Sequence, residues 1–150
     1  PFKFMLLTIS TLKQGILLLW AIWLLMVTVM NIIEALKALK FLPESVKASS
    51  NWTLMLRVTA VYKTPTLLNA FLFAGVIIWE AIATVYLWAA FFTGSLETAT
   101  TALILCISLW GAFILVNQFF LVFNTEPAVA TVHRDLFVAF LVSLMAIKLL

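Results

Sequence analysis

The fold is decided by residues 64–96, TPTLLNAFLFAGVIIWEAIATVYLWAAFFTGSL, a stretch that holds a single charged residue, Glu80. Between Lys63 and Glu97, 16 uncharged residues precede Glu80 and 16 follow it. A helix that rises about 1.5 Å per residue would cross a hydrocarbon core of roughly 30 Å with Glu80 near its middle. The stretch therefore predicts a membrane-spanning helix with an acidic side chain at its centre.

Composition places the whole chain in the same class. Of its 150 residues, 65% are hydrophobic and 10% are charged, whereas soluble domains carry about 25% charged residues. The mean hydropathy is +1.20. We therefore expect an integral membrane protein, with no room in residues 1–150 for a separate soluble catalytic domain. A net charge of +3 is too small to predict a nucleic-acid partner.

The pattern of hydrophobic runs predicts an all-α fold, an antiparallel bundle of four transmembrane helices in one domain, residues 1–150. The predicted spans are 14–33, 64–92, 98–123 and 136–150, of which the last is shorter than the roughly 20 residues that a span needs. In the loop after the first span, residues 52–62 are amphipathic and predict a short surface helix. A turn at Gly94, with Ser95 starting the next helix, joins the second span to the third.

Helical spacing places Asn69 and Thr84 on the same face of the second span as Glu80. We expect this polar face to point into the bundle or at another subunit, because lipid does not solvate such groups. Matching the midpoints of antiparallel spans puts Ser108 and Ser143 at the depth of Glu80. They are the expected hydrogen-bond partners of its carboxyl group.

Most of the remaining amides of the spans fall in one half of the membrane, next to the large loop at residues 41–63, and the opposite half is nearly free of amides. The amides in this half are Asn31, Asn69, Asn117 and Gln118, and the hydroxyl of Thr28 lies in the same half. Their uneven distribution predicts a polar indentation that opens from the loop side and ends near Glu80.

Two interpretations of Glu80 stay open. In the structural one, the carboxyl group is protonated and donates a hydrogen bond to a neighbouring helix. In the functional one, it titrates in a proton or cation path, or it binds a polar group of a ligand. Without a second acid or base predicted nearby, the structural interpretation is favoured.

His133 and Cys106 are the remaining candidates for metal or redox chemistry. A membrane b-type haem is usually held by two histidines on facing helices, and the chain has one histidine, predicted in a connection. A haem at His133 would thus need a ligand from another subunit. Cys106 stands alone, so no internal disulfide forms. We expect no metal site and no cofactor, although the 13 Phe and six Trp residues would suit a bound lipid or quinone.

A resemblance to a family of membrane proteins lies in residues 56–80, LRVTAVYKTPTLLNAFLFAGVIIWE. They are similar to a family of bacterial predicted small integral membrane proteins of unknown function. Members have four predicted spans and a proline shortly before a second helix that contains a Trp-Glu pair, which here correspond to Pro65, Trp79 and Glu80. The resemblance implies a four-span bundle and brings no established activity.

The function expected from these observations is that of a non-catalytic accessory or structural subunit of a larger membrane complex. Such a complex would be respiratory or otherwise energy-converting, in a bacterial inner membrane, and the partners would be the lipid bilayer and other integral membrane subunits. The alternative is a small transporter or proton-conducting membrane protein that uses Glu80. We expect no catalytic activity of its own, because no acid-base constellation supports direct work on lipid or quinone.

Overall fold

The computed structural model describes the backbone of residues 2–150 and the side chains of residues 8–150. Within that part the regular structure is entirely helical. The helices are α1 (Phe2–Ala38), α2 (Asn51–Thr59), α3 (Thr66–Thr93), α4 (Leu96–Phe119), α5 (Val122–Thr125) and α6 (Pro127–Leu149), with a 3-10 turn at Ala60–Tyr62. The predicted all-α class is confirmed.

Four of these helices are long and apolar enough to cross a membrane. They are Thr8–Ala38 within α1, and α3, α4 and α6 in full, with mean hydropathies between 1.6 and 2.5. Many of their large apolar side chains are exposed, among them Leu19, Phe71 and Leu115. A surface of this kind is suited to lipid, and the four helices indicate an integral membrane protein.

Local sequence explains the connection between α3 and α4. α3 begins after Pro65, whose missing N–H costs nothing at a helix start. It ends at Gly94, which has a φ of 65°, in the left-handed region that favours glycine. Ser95 then caps α4, its side chain accepting a hydrogen bond of 3.2 Å from the backbone N–H of Thr98. The predicted turn and cap are confirmed.

Four helix ends differ from the predicted spans by more than the one or two residues within which helix ends are defined. α1 extends on both sides of residues 14–33, through the strong helix formers that follow Ile33. α4 ends at Phe119, and Leu121, with a φ of 54°, breaks the helix before α5. α6 begins at Pro127, so residues 128–135, predicted to form a polar connection, are helical. This N-terminal extension supplies the length that the predicted fourth span lacked.

The core is built where the long helices pack on one another. α1 packs on α3, α3 on α4, and α4 on α6. Trp20 of α1 reaches α6, where its ring centre lies 4.0 Å from that of Phe140 and its Nε1 donates to Ser143 Oγ at 2.8 Å. Small residues such as Ala21, Ala83, Ala90 and Ala102 are fully buried in this core and allow close helix contact, the main source of cohesion between helices in lipid.

We predict that Gly94→Ala destabilises the bundle. An alanine in the left-handed region costs about 1 kcal/mol, and its Cβ would lie 3.4 Å from Nε2 of Gln14 in α1. The free energy of unfolding, measured by reversible denaturation in mixed micelles, should fall by about that amount. Gly75→Ala is the matched control, since a Cβ at this helical position meets nothing within 4 Å. Equal losses in the two variants would contradict the prediction.

Candidate functional site

The buried face of α1 changes character along its length. Leu17, Ala21 and Leu24 are buried toward one end, and Thr28, Asn31 and Glu34 are buried toward the other. Their spacing of three and four residues keeps all six on one side of the helix. α3 has the matching arrangement, because Leu87 and Ala90 are buried near its C-terminus while Asn69 and Glu80 are buried nearer its N-terminus.

The polar ends of these two faces meet at Glu80. The side-chain amide of Asn31 donates to both carboxyl oxygens, at 3.1 Å to Oε1 and 2.9 Å to Oε2. Asn31 and Glu80 are each 2% exposed. A buried carboxyl group without a partner would be strongly destabilising, so this contact is what allows Glu80 to lie between the packed helices.

Asn31 also connects Glu80 to the large loop. Its Oδ1 accepts hydrogen bonds from Asn51 Nδ2 at 2.7 Å and from Ser49 Oγ at 3.2 Å. The side-chain nitrogen of Asn31 therefore bonds to α3, and its side-chain oxygen bonds to the loop. We call Asn31, Glu34, Ser49, Asn51 and Glu80 the polar cluster.

Glu34 completes the polar cluster one helical turn after Asn31. Its Oε2 accepts from the backbone N–H of Asn51 at 2.8 Å and contacts Ser49 Oγ. A serine hydroxyl carries one hydrogen, so Ser49 can donate to Glu34 or to Asn31 at any moment, but not to both. The loop is thus held to α1 by a side chain and a main-chain group together.

Two further polar contacts lie near the polar cluster. Thr28 and Thr84 approach within 3.4 Å through their hydroxyl oxygens, and Thr28 also donates to the carbonyl of Leu24 at 2.8 Å. Asn69, Glu80 and Thr84 are all buried, as their shared face predicts. Asn69 is 1% exposed, and its Oδ1 has no hydrogen-bond partner within the described residues.

Neither serine that was expected beside Glu80 is its partner in the structure. Ser143 accepts from Trp20 and donates to the carbonyl of Ala139 at 2.8 Å. Ser108 is exposed. Ser108 does lie near the depth of Glu80, because Trp79, the residue before Glu80, donates through Nε1 to the carbonyl of Leu105 at 3.0 Å, one turn from Ser108. The rotation of α4, which midpoints do not specify, turns Ser108 outward.

The amides of α4 belong to a second polar contact. Asn117 Oδ1 lies 3.2 Å from Nδ1 of His133, whose ring stacks on Phe113 with centres 4.7 Å apart. Gln118 is exposed. His133 thus lies inside α6, and a haem there would still require a ligand from another chain. The predicted polar residues separate into two contacts, α1 with α3 and α4 with α6, and they do not line one indentation.

The described side chains do not assemble a metal site. No group of three His, Cys, Asp or Glu residues among residues 8–150 could hold an ion, and Cys106 is buried. The ion pairs described in the same range are Lys37 with Glu44, Arg57 with Glu126, and Arg134 with Asp135. Glu34 and Glu80 are not in these ion pairs, and the groups that contact their carboxyl oxygens in the described structure are neutral hydrogen-bond donors.

Sequence reasoning missed the loop's part in the polar cluster. Ser49 and Asn51 stand in a polar group of the large loop, residues 48–51, for which the sequence predicts no contact with Asn31 or Glu80. The available signal was Glu34, three residues after Asn31 and thus on the same face of α1. Two polar groups on one buried face require donors from elsewhere, and the adjacent loop is the nearest source.

Comparisons with protein-family models, curated proteins and solved structures gave no match for this chain. Its function must therefore be argued from its own side chains.

We predict that Asn31 and Glu80 are energetically coupled. Asn31→Leu leaves the Glu80 carboxyl group without its amide donor, and Glu80→Leu leaves the Asn31 amide without its acceptor, so each single change should lower the free energy of unfolding. The double variant should lose less than the sum of the two, with a coupling of roughly 1 kcal/mol, as for polar contacts between membrane helices.

Reversible denaturation in mixed micelles measures this double-mutant cycle. Trp20→Phe paired with Ser143→Ala gives a matched cycle for a polar contact between α1 and α6. Strict additivity at Asn31 and Glu80 would show that their contact does not stabilise the fold.

Proposed function

We propose that this protein is a non-catalytic accessory subunit of a larger membrane assembly. The proposal rests on one observation: the hydrogen-bonding groups of the polar cluster bond to one another. Both oxygens of Glu80 receive the Asn31 amide, and the oxygen of Asn31 accepts from Asn51 and shares the Ser49 hydroxyl with Glu34. Groups that bond to one another in this way hold helices together, as a structural role requires.

The arrangement we propose in the membrane is an antiparallel four-helix bundle. Contacts between α1 and α3 support opposite directions, because Gln14 lies near Gly94 while Asn31 lies at Glu80. The short connection at Gly94 supports the same relation for α3 and α4. We place α2 at the membrane surface, as the amphipathic residues 52–62 predict. Arg57 of α2 pairs with Glu126, just before α6, at 2.6 Å.

The outer face of α3 supports a partner in the membrane. Five large apolar residues recur there at helical spacing and are all exposed: Leu67, Phe71, Ile78, Ile82 and Val85. Lipid alone can cover such a face, and so can a helix of another subunit. We propose that a second integral membrane protein covers it, and we place the assembly among respiratory or other energy-converting complexes of a bacterial inner membrane.

The alternative is a small transporter or proton-conducting protein that uses Glu80. One observation favours it: hydrogen bonds connect Glu80 through Asn31 to Asn51, which is exposed. This chain of contacts leads from the middle of α3 to the loop side. Toward the opposite end the described core is apolar apart from Gln14, with Leu17, Leu87 and Ala90 buried, so a complete path would need groups from elsewhere.

The accessory role predicts a defined neighbour at α3. A photoreactive amino acid at position 71, where Phe71 is exposed, should cross-link to one other membrane protein at fixed stoichiometry in native membranes. The matched control is position 24, because Leu24 is fully buried and should give no adduct with another protein. Mass spectrometry of the adducts identifies the neighbour. Adducts with lipid alone at position 71 would contradict the proposal.

Flux separates the two functions. In the accessory role, the purified chain in vesicles passes no protons or small cations, and Glu80→Gln still assembles, because glutamine retains a hydrogen-bonding side chain. Flux that the wild-type chain supports alone and that Glu80→Gln abolishes would establish the alternative instead.

A further inference from the structure

A groove of about 280 Å³ lies where α4 ends and α6 begins. It exists because Leu121 adopts a left-handed conformation and the chain turns through α5 before α6 starts. We call it the α4–α6 groove. Its lining includes Ile114, Gln118, Phe123, Ala130, Thr131 and Arg134. Apolar side chains form one part of the groove's lining, and hydrogen-bonding side chains form the other part.

Arg134 gives the groove a positive charge. Its Nε lies 3.5 Å from Oδ1 of the adjacent Asp135, and both side chains are about two-thirds exposed. An exposed pair of this kind contributes little stability, and the contact through Nε leaves the terminal nitrogens able to donate to a second anion. The nearby carboxylate of Glu126 is paired with Arg57, so it offsets Arg134 less than a free carboxylate would.

Hydrogen-bond donors predominate among the other polar groups of the groove. Asn117 contacts His133 through Oδ1, which leaves its Nδ2 as a donor. Gln118 is exposed, and its side-chain amide supplies two more N–H groups. Thr131 already donates its hydroxyl hydrogen to the carbonyl of Pro127 at 3.0 Å. A guanidinium and two amides match an oxygen anion better than a cation.

The apolar part of the groove restricts the source of that anion. Ile114, Phe123 and Ala130 would lie along a hydrocarbon chain. A free inorganic anion gains nothing from such surfaces, whereas an amphiphile buries its chains there. Basic side chains near the ends of membrane helices attract anionic lipid headgroups.

We propose that the α4–α6 groove binds the phosphate headgroup of an anionic phospholipid. Arg134 and Gln118 contact the phosphate oxygens, and Ile114 and Phe123 contact the first part of an acyl chain. The site is separate from the polar cluster at Glu80, and it is independent of the accessory role.

Native mass spectrometry of the purified full chain, titrated with phosphatidylglycerol or with phosphatidylcholine of the same acyl chains, tests this proposal. We expect one phosphatidylglycerol per chain, bound more tightly than phosphatidylcholine. Arg134→Gln should weaken phosphatidylglycerol binding about tenfold, the loss of one charge-assisted contact, and weaken phosphatidylcholine binding less, because the choline cation offsets the charge of its phosphate. Ala130→Phe should also weaken it, because the larger ring fills the groove without altering any charge.

Lys47→Gln is the matched control, since it removes one positive charge from the exposed large loop and should leave the affinity unchanged. Equal affinity for the two lipids, no effect of Arg134→Gln, or an equal loss in Lys47→Gln would overturn the proposal. A further titration uses inorganic phosphate at millimolar concentration. If it displaces phosphatidylglycerol from the wild-type chain, the occupant is a free anion and the lipid assignment fails.

Discussion

The contact between the Asn31 amide and the Glu80 carboxyl group is the constraint on which the rest of the structure depends. It places a buried acidic side chain inside a helical pair whose outer surface is apolar. Lipid offers no hydrogen bonds, so the partner must come from the protein. The same amide binds the loop through its oxygen, and one residue thereby fixes the contact of α1 with α3 and the position of the chain that connects them.

Local chemistry explains which parts of the fold could be predicted from the sequence. The four long helices follow from uncharged runs, and the turn between α3 and α4 follows from a glycine with positive φ and a serine cap. The end of α4 at Phe119 could not be predicted, because the break comes from the positive φ of Leu121 and leucine carries no turn signal. The start of α6 at Pro127 was missed because residues 128–135 include four polar side chains that interrupt the apolar run, although proline is favoured in the first turn of a helix.

The polar cluster could be predicted only in part, because hydrogen bonding between helices depends on rotation as well as depth. Spacing along one helix correctly placed Asn69 and Thr84 on the buried face of Glu80. Depth alone suggested Ser108 and Ser143, one of which is turned outward and the other bound to Trp20. Rotation is set by packing among small residues and rings in the core, which the order of residues in one helix does not reveal.

The Asn31–Glu80 contact also bears on biogenesis. Because α1 precedes α3 in the chain, Asn31 is synthesised first and must await its partner. A helix with a central carboxyl group enters a bilayer poorly alone, since an unpaired acidic side chain is costly in hydrocarbon. An amide already positioned in α1 lowers that cost as α3 arrives. We therefore expect insertion of α3 to depend on the presence of α1.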